Sequence, residues 1–199
     1  LITKYNKKKN ITVIPCCVEN SVFVSKPLYN KGDKVKFVYV GGLSKWQKFE
    51  YILKVYSEIS EKMNTSLTII TNEVTKAEGI IKMKGINAEV FQMEHKYISQ
   101  ELTKYDFGFL FRENILLNNV ASPVKYLEYI SNGVIPIISE NIGDYSKLTV
   151  NNEIGIIETS DINHLIANIE GIKYDKNIQY RLFNTAKKFT WENYIAKVF

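Results

Sequence analysis

Residues 106–138 read DFGFLFRENILLNNVASPVKYLEYISNGVIPII, and they are the part of the sequence that most clearly indicates the fold class. It opens with an aromatic-rich apolar run at 106–111 and closes with a β-branched run at 134–138, both of strand length. Between them, residues 122–131 show helical spacing, and Asn132-Gly133 forms a helix stop signal. A strand, a helix and a second strand in this order predict a βαβ unit with parallel strands.

The same alternation extends in both directions from this unit. Further strands are predicted at 35–40, 67–70, 88–91 and 155–157, and helices at 49–59, 74–83, 98–103, 161–170 and from 176 onward. Repeated βαβ units predict an α/β fold: a doubly wound, Rossmann-like parallel sheet with helices on both faces. Residues 1–30, which include a short strand predicted at 11–14, do not fit the repeat and are interpreted as an incoming connection.

Composition excludes several classes of protein. The 199 residues include 45% hydrophobic and 24% charged residues, which is typical of a globular chain and not of a disordered or fibrous one. No apolar stretch reaches the roughly 18 residues of a membrane span, and no signal-peptide core is expected at the N-terminus. The two cysteines, Cys16 and Cys17, are neighbours, so neither a disulfide framework nor a zinc site is expected. A reducing, cytoplasmic setting is the prediction.

The positive net charge does not indicate a nucleic-acid partner. Lys and Arg number 26 against 21 Asp and Glu, which gives +5, but only Arg112 and Arg181 are arginines. Arginine-rich faces and aromatic stacking platforms, which nucleic-acid binders use, are missing from the sequence. The one basic run, Lys7 to Lys9, is interpreted as a solvated loop, with attraction to an anionic membrane surface as the alternative.

The loop after the strand at 35–40 carries the first candidate site. Gly41 and Gly42 allow a tight turn and close approach of the backbone to a ligand. Lys45 and Lys48 follow and could add positive charge for a phosphate. The alternative is an ordinary strand-to-helix turn with surface lysines. The spacing matches neither a Walker loop nor the GxGxxG fingerprint.

The start of the helix at 122–131 is the second candidate. Ser122 is predicted as the N-cap with a proline at the first helical position, so the amides of Val124 and Lys125 would face an anion at the positive end of the helix dipole. Glu128, nearly two turns further on, could accept hydrogen bonds from the hydroxyls of a ribose. The alternative is a well-capped core helix with Glu128 solvated.

Three more residues lie at predicted strand ends. Arg112 and Glu113 follow the strand at 106–111 and could face a ligand; the alternative is a salt bridge within the loop. His95 lies in the loop after the strand at 88–91, where it could contact a base or cap a helix. His164 is far from it in sequence, on a surface-type helix, so no metal site is predicted.

Three stretches together resemble one family: VGGL at 40–43, DFGFLFRE at 106–113 and ASPVKYLEYISNGVIP at 121–136. They resemble the C-terminal, donor-binding half of GT-B glycosyltransferases, and most closely the family-four enzymes (glycosyltransferase group 1) of bacterial capsule and surface-polysaccharide clusters. IPCCV at 14–18 resembles the segment that enters this half, and FTWENY at 189–194 resembles its closing helix. The resemblance implies a linker from an N-terminal acceptor domain at 1–30, a nucleotide-sugar-binding domain at 31–188 and a closing helix at 189–199.

The resemblance also implies a chemistry. The donor is a nucleotide-diphospho-sugar, UDP- or GDP-linked; the transfer is of hexosyltransferase type, retains the anomeric configuration, and uses no metal and no permanently bound cofactor. It implies the following roles: ribose binding by Glu128, diphosphate binding by the amides around Ser122, Val124 and Lys125, charge neutralisation by Lys45 or Lys48, and base contact by the loop that holds His95.

The sequence departs from the family pattern in three respects. Relatives often carry a glutamate at the position of Val120, so the sugar-contacting role would pass to Glu113 or be absent. Relatives also often carry an arginine at the position of Gly42, which bears on the phosphate contacts. The chain also has one Rossmann-like domain where a GT-B enzyme has two. We therefore expect a carbohydrate or lipid-linked acceptor to bind to a missing domain, peripheral membrane association of the full enzyme, and weak nucleotide binding without sugar transfer by this chain alone. Two alternatives stay open: half of a GT-B sugar-nucleotide epimerase, and a non-catalytic Rossmann-like interaction module.

Overall fold

The computed structural model describes residues 14–19 and 33–198. Residues 11–13 of the strand predicted at 11–14, the basic run Lys7 to Lys9 and most of the connection predicted at 1–30 lie outside the described residues. No helix within the described residues is both long and apolar enough to cross a membrane.

A six-stranded parallel sheet forms the centre of the molecule. Its strands are β1 (Val35–Val40), β2 (Thr65–Ile70), β3 (Glu89–Phe91), β4 (Phe107–Leu110), β5 (Ile135–Ile138) and β6 (Ile156–Ile157). They lie in the order β3-β2-β1-β4-β5-β6, and every neighbouring pair is parallel. The predicted α/β, doubly wound, Rossmann-like fold is confirmed.

Nine α-helices are described within residues 33–198. They are α1 (Phe49–Ser60), α2 (Val74–Met83), α3 (His95–Leu102), α4 (Leu116–Asn119), α5 (Val124–Ser131), α6 (Tyr145–Asn151), α7 (Ile162–Lys173), α8 (Ile178–Ala186) and α9 (Trp191–Val198). The chain proceeds outward from β1 to β3, returns to β4 beside β1, and proceeds outward again to β6. Because parallel crossovers are right-handed, this order places the helices of the two halves on opposite faces of the sheet.

Helix boundaries differ from the sequence prediction at two places that matter for the site. Helix α3 begins at His95, so this residue is the first of a helix and not part of a loop. Helix α5 begins at Val124, and Ser122 is not its N-cap, which corrects the prediction. Pro123 holds the N-cap position in an extended conformation (ψ 120°), while the Ser122 hydroxyl lies 2.8 Å from the Tyr145 hydroxyl and is engaged there.

Aromatic side chains tie α5 to the sheet. The Tyr129 ring is fully buried against Gly108 of β4, where an added Cβ would lie 2.6–2.8 Å from ring atoms. The Tyr129 hydroxyl lies 3.2 Å from the Phe109 carbonyl oxygen, to which it donates, and accepts from the Val40 amide at the same distance. One side chain thereby joins the carboxyl ends of β1 and β4.

Candidate functional site

The strand order creates a crevice between β1 and β4. These neighbouring strands are not consecutive in the chain, and the connections after them leave toward opposite faces of the sheet. Such a switch point at the carboxyl edge is where open α/β sheets bind ligands. Gly41 and Gly42 directly follow β1, and Arg112 is the second residue after the end of β4. Two of the predicted site segments, the glycine pair and the loop that begins at Arg112, therefore meet here.

Lys125 reaches this crevice from the first turn of α5. A Cβ on Gly41 would collide with Lys125 Nζ, and it would also lie 2.8 Å from Gln47 Oε1 and 2.9 Å from the Tyr39 hydroxyl. Gly41 is therefore required by the close approach of three side chains. The glycine pair and the α5 segment, which are far apart in sequence, form one site.

The Lys125 ammonium group is partly deprived of solvent. Burial, together with the nearby Arg112 charge, lowers its pKa to about 8, and Glu128 opposes part of this change. Within residues 14–19 and 33–198, Lys125 forms no hydrogen bond or ion pair through its side chain. A half-buried cation of this kind is stabilised by any anion that enters the crevice.

Arg112 is a second cation without an acidic partner. Its side chain is only 9% exposed, and its Cζ lies 4.2 Å from the centre of the Trp46 ring. Burial lowers the pKa of the guanidinium, and Nη1 is buried without a hydrogen-bond partner in the described part of the chain. The alternative prediction, a salt bridge within the loop, is not what the described residues show. Buried donors without partners are rare, and they indicate a place for a ligand or an ion.

Glu128 and His95 form a pair beside the two cations. Glu128 Oε1 lies 2.9 Å from His95 Nε2, and the side chains are 13% and 87% exposed. Both residues line an open groove of about 870 Å³ between α3 and α5, together with Val124. Glu128 is not solvated, in contrast to the alternative prediction. Its carboxylate is largely buried, whereas its partner His95 is largely exposed.

The N-terminus of α5 adds backbone donors. The first amides of a helix have no partner within the helix, and those of Val124 and Lys125 have none elsewhere among the described residues. They carry the positive end of the helix dipole, which favours an anion.

In the described part of the chain, the other predicted site residues form no side-chain hydrogen bond or ion pair with Arg112, Lys125 or Glu128. Lys45 is exposed on a 3-10 turn (Lys45–Gln47), and Lys48 adopts a left-handed conformation (φ 52°) with its Nζ 4.3 Å from the Tyr51 ring centre. Glu113 donates its amide to the Trp46 carbonyl at 3.0 Å. Ser122 lines a separate hollow of about 700 Å³.

Sequence reasoning missed three residues that shape the loop after β1. The Tyr39 hydroxyl lies 2.5 Å from both the Gly42 carbonyl oxygen and Gln47 Oε1. Glu73 Oε2 accepts a hydrogen bond from the Leu43 amide at 2.7 Å, which is the main reason why the pKa of Glu73 is lowered. The one feature of the sequence that could have indicated these contacts is Tyr39, a tyrosine near the end of an apolar strand.

Comparison with known proteins finds no matching family model and no matching curated protein. Solved structures do match. The pneumococcal O-GlcNAc transferase GtfA in complex with UDP and GlcNAc has a TM-score of 0.66 at 14% identity, over 99% of this chain and 40% of its own. An alpha-glucosyltransferase in complex with UDP has a TM-score of 0.64 at 15% identity, over 82% and 49%.

A third solved structure is the catalytic domain of cholesterol-alpha-glucosyltransferase from Helicobacter pylori. Its TM-score is 0.60 at 16% identity, over 78% of this chain and 99% of its own. This chain spans less than half the length of the chains in the first two structures. The likeness shows the fold: a Rossmann-like domain with the same architecture as a domain of these glycosyltransferases.

Proposed function

We propose that this chain is the donor-binding domain of a glycosyltransferase that uses a nucleotide-diphospho-sugar. The observation that carries the proposal is the pair of half-buried or buried cations, Arg112 and Lys125, without acidic hydrogen-bond partners in the described part of the chain. They lie at the switch point beside Gly41, where a ligand's diphosphate would fit.

The diphosphate would lie between β1 and α5. Arg112 and Lys125 would bind its oxygens, the amides of Val124 and Lys125 would add donors, and Gly41 and Gly42 would leave room for the phosphates. When the bond to the sugar breaks, negative charge develops on the departing phosphate. Fixed cations in a site poor in water stabilise that charge strongly. They would therefore accelerate cleavage of the bond between the sugar and the phosphate.

The nucleoside would extend along the groove between α3 and α5. The Glu128 carboxylate would accept hydrogen bonds from the ribose hydroxyls, which requires the contact with His95 to open. His95 is largely exposed and free to turn toward the base. Two of the three structures described above contain UDP, and the nucleoside here is uridine or guanosine in this proposal.

The remaining features of the proposed reaction rest on the resemblance of residues 121–136 to the donor-binding half of GT-B glycosyltransferases. We propose hexosyl transfer with retention, to a carbohydrate or lipid-linked acceptor of surface-polysaccharide synthesis that binds outside this chain, at the cytoplasmic face of the membrane. Lys45, Lys48 and Glu113 stay predicted catalytic groups, because all three follow β1 or β4 at the crevice edge. No metal or resident cofactor takes part in the proposed reaction.

The rival functions have less support. The similar structures are named as glycosyltransferases, which favours transfer over epimerisation of the sugar nucleotide. An interaction module has no need for two cations held without acidic partners at a switch point, since such burial destabilises the fold.

Thermal unfolding with nucleotides tests the proposal. UDP, GDP and their common sugar conjugates are added to the wild-type chain, to Glu128→Ala and to Glu170→Ala, which changes an exposed residue of α7. A ligand at 100 times its dissociation constant should stabilise the wild type by about 2.7 kcal/mol. We expect a shift with one base, lost in Glu128→Ala and kept in Glu170→Ala. No shift with any nucleotide would contradict the proposal.

A further inference from the structure

A carboxylate from the connection after β2 holds the loop after β1. Glu73 directly precedes α2, and its Oε2 accepts a hydrogen bond from the Leu43 amide at 2.7 Å. The two residues are 30 positions apart in sequence, so one contact joins the connections that follow two neighbouring strands. Both connections leave the carboxyl edge of the sheet, where the crevice lies.

We propose that Glu73 is a positioning residue for donor binding. Without touching the ligand, its carboxylate keeps the backbone of residues 41–43 in the conformation that leaves room for the diphosphate. The inference rests on the proposed function and adds to it a residue that acts through the glycine pair. What this role requires of Glu73 is a hydrogen-bond acceptor, and the negative charge is not part of it.

Each residue of the loop has one anchored backbone group in the described part of the chain. The Gly41 amide donates to the last carbonyl of β2 at 3.0 Å, and the Gly42 carbonyl oxygen lies 2.5 Å from the Tyr39 hydroxyl. Two successive glycines lose much conformational freedom when they become ordered. The bond from the Leu43 amide to Glu73 is therefore the anchor that fixes the far end of the pair.

The Glu73 side chain is itself held in place. Its backbone amide donates to the Thr71 hydroxyl at 3.2 Å, and its Oε1 lies 3.0 Å from Lys76 Nζ. The ion pair with Lys76 is exposed, and pairs of this kind contribute little to stability. The hydrogen bond from the Leu43 amide is the largest cause of the lowered pKa of the Glu73 carboxyl. The two carboxylate oxygens thus have separate partners, and one of them is committed to the loop.

Glu73 lies against the second glycine, whereas Lys125 lies against the first. A Cβ on Gly42 would be 3.4 Å from Glu73 Oε2, and a Cβ on Gly41 would collide with Lys125 Nζ. A carboxylate beside an anion site repels the anion, so its charge opposes the proposed ligand. The benefit of this side chain must then come from the backbone that it holds, and a neutral acceptor would provide the same benefit.

Replacement of Glu73 separates the acceptor from the charge. Glu73→Gln keeps an oxygen acceptor for the Leu43 amide and removes the negative charge, whereas Glu73→Ala removes both. Glu78→Ala is the matched control, since it removes an exposed carboxylate from α2. Binding of UDP and GDP is measured by calorimetry for the wild type and the three variants, at a temperature at which each is folded.

We expect Glu73→Ala to weaken binding of the preferred nucleotide by about fivefold or more, because the apparent affinity falls with the fraction of molecules whose loop is in place. Glu73→Gln should restore most of this loss, and Glu78→Ala should bind like the wild type. Wild-type affinity in Glu73→Ala would overturn the inference. Equal losses in Glu73→Ala and Glu73→Gln would overturn it too, because an acceptor at this position would then not be what matters.

Hydrogen exchange of the Leu43 amide, followed by NMR, tests the contact without a nucleotide. The exchange should be faster in Glu73→Ala than in the wild type and slow again in Glu73→Gln, since a hydrogen-bonded amide is protected. Equally slow exchange in all three proteins would overturn the inference and leave the proposed function standing. A wild type that binds neither nucleotide would overturn the proposed function, and the inference with it.

Discussion

At the scale of single residues, the site depends on positive charges that the fold leaves without acidic hydrogen-bond partners. Lys125 lies against Gly41 and near Arg112, and the effect of burial on both is to destabilise the charged form. Such an arrangement costs stability in the free protein. The same groups contribute binding energy when an anion enters, so stability and affinity should respond to mutation in opposite directions.

Lys125→Met separates these two effects. Methionine keeps an unbranched apolar side chain of similar length and removes the charge. We expect nucleotide affinity to fall by about tenfold or more, because a hydrogen bond to a charged group contributes roughly 1.5–3 kcal/mol. The free protein should unfold at a higher temperature, because a buried charge is gone.

Calorimetric titration and thermal unfolding measure the two quantities. Lys54→Met is the matched control, since the Lys54 side chain is 68% exposed on α1 and pairs with Glu58 at the surface. Lys54→Met should leave both the nucleotide affinity and the unfolding temperature nearly unchanged. A Lys125→Met protein that binds nucleotide as tightly as the wild type would show that the diphosphate lies elsewhere.

The pKa of Lys125 predicts a pH dependence of binding. In the free protein this pKa is about 8, and a phosphate beside the amine favours the ammonium form and raises the pKa. Binding above pH 8 therefore takes up a proton, so affinity should fall as the pH rises from about 7.5 to about 9.5, by at most tenfold per pH unit. Titrations across this range should show the decline in the wild type. The same decline in Lys125→Met would assign it to another group.

Some of the site could be predicted from residue spacing, and some could not. The Ser-Pro-x-Lys-x-x-Glu pattern of residues 122–128 places Lys125 and Glu128 three residues apart on one face of a helix, and the structure has them there. Glu73 gave no such signal, because its contact with Leu43 joins the start of α2 to the loop after β1. Contacts between different elements are not encoded in local spacing.

At the scale of elements, the contact between β4 and α5 holds the crevice in place. Gly108 has no side chain, and the Tyr129 ring fills the space above it. The Tyr129 hydroxyl bonds to backbone groups at the ends of both β1 and β4. Displacing this ring would move the first turn of α5 relative to the sheet.

Gly108→Ala should therefore destabilise the protein. The new methyl group would lie 2.6–2.8 Å from three carbons of the buried ring, and overpacking of this kind costs about 1–3 kcal/mol. Gly79→Ala is the control, because nothing lies within 4 Å of its Cβ position on α2. That change should stabilise the helix by roughly 0.5–1 kcal/mol. Urea unfolding measures both, and equal stability of the two variants would mean that the ring moves aside without cost.

The first residues of helices were the features hardest to predict from the sequence. Ser122 has the chemistry of an N-cap, but its hydroxyl is engaged with Tyr145, which stacks on Tyr126 with ring centres 4.3 Å apart. A contact between α5 and α6 thus overrides a local preference. Helix α4 went unpredicted because its leucines, Leu116 and Leu117, are 78% and 71% exposed and form no buried stripe.

At the scale of the whole molecule, strand order determines where the site can be. The alternation of strands and helices predicted a parallel sheet and a site at its carboxyl edge, and the structure has that sheet. The pairing of β1 with β4 could not be read from the sequence, because pairing between distant strands is set by tertiary packing. That pairing brings residues near positions 41, 112 and 125 into one crevice.

The most direct test of this account is a crystal structure of the chain with whichever of UDP and GDP raises its unfolding temperature. We predict phosphate oxygens within hydrogen-bond distance of both the Arg112 guanidinium and Lys125 Nζ, with the ribose at Glu128. A nucleotide bound elsewhere, for example in the hollow beside Ser122 and Tyr145, with both cations untouched, would contradict it.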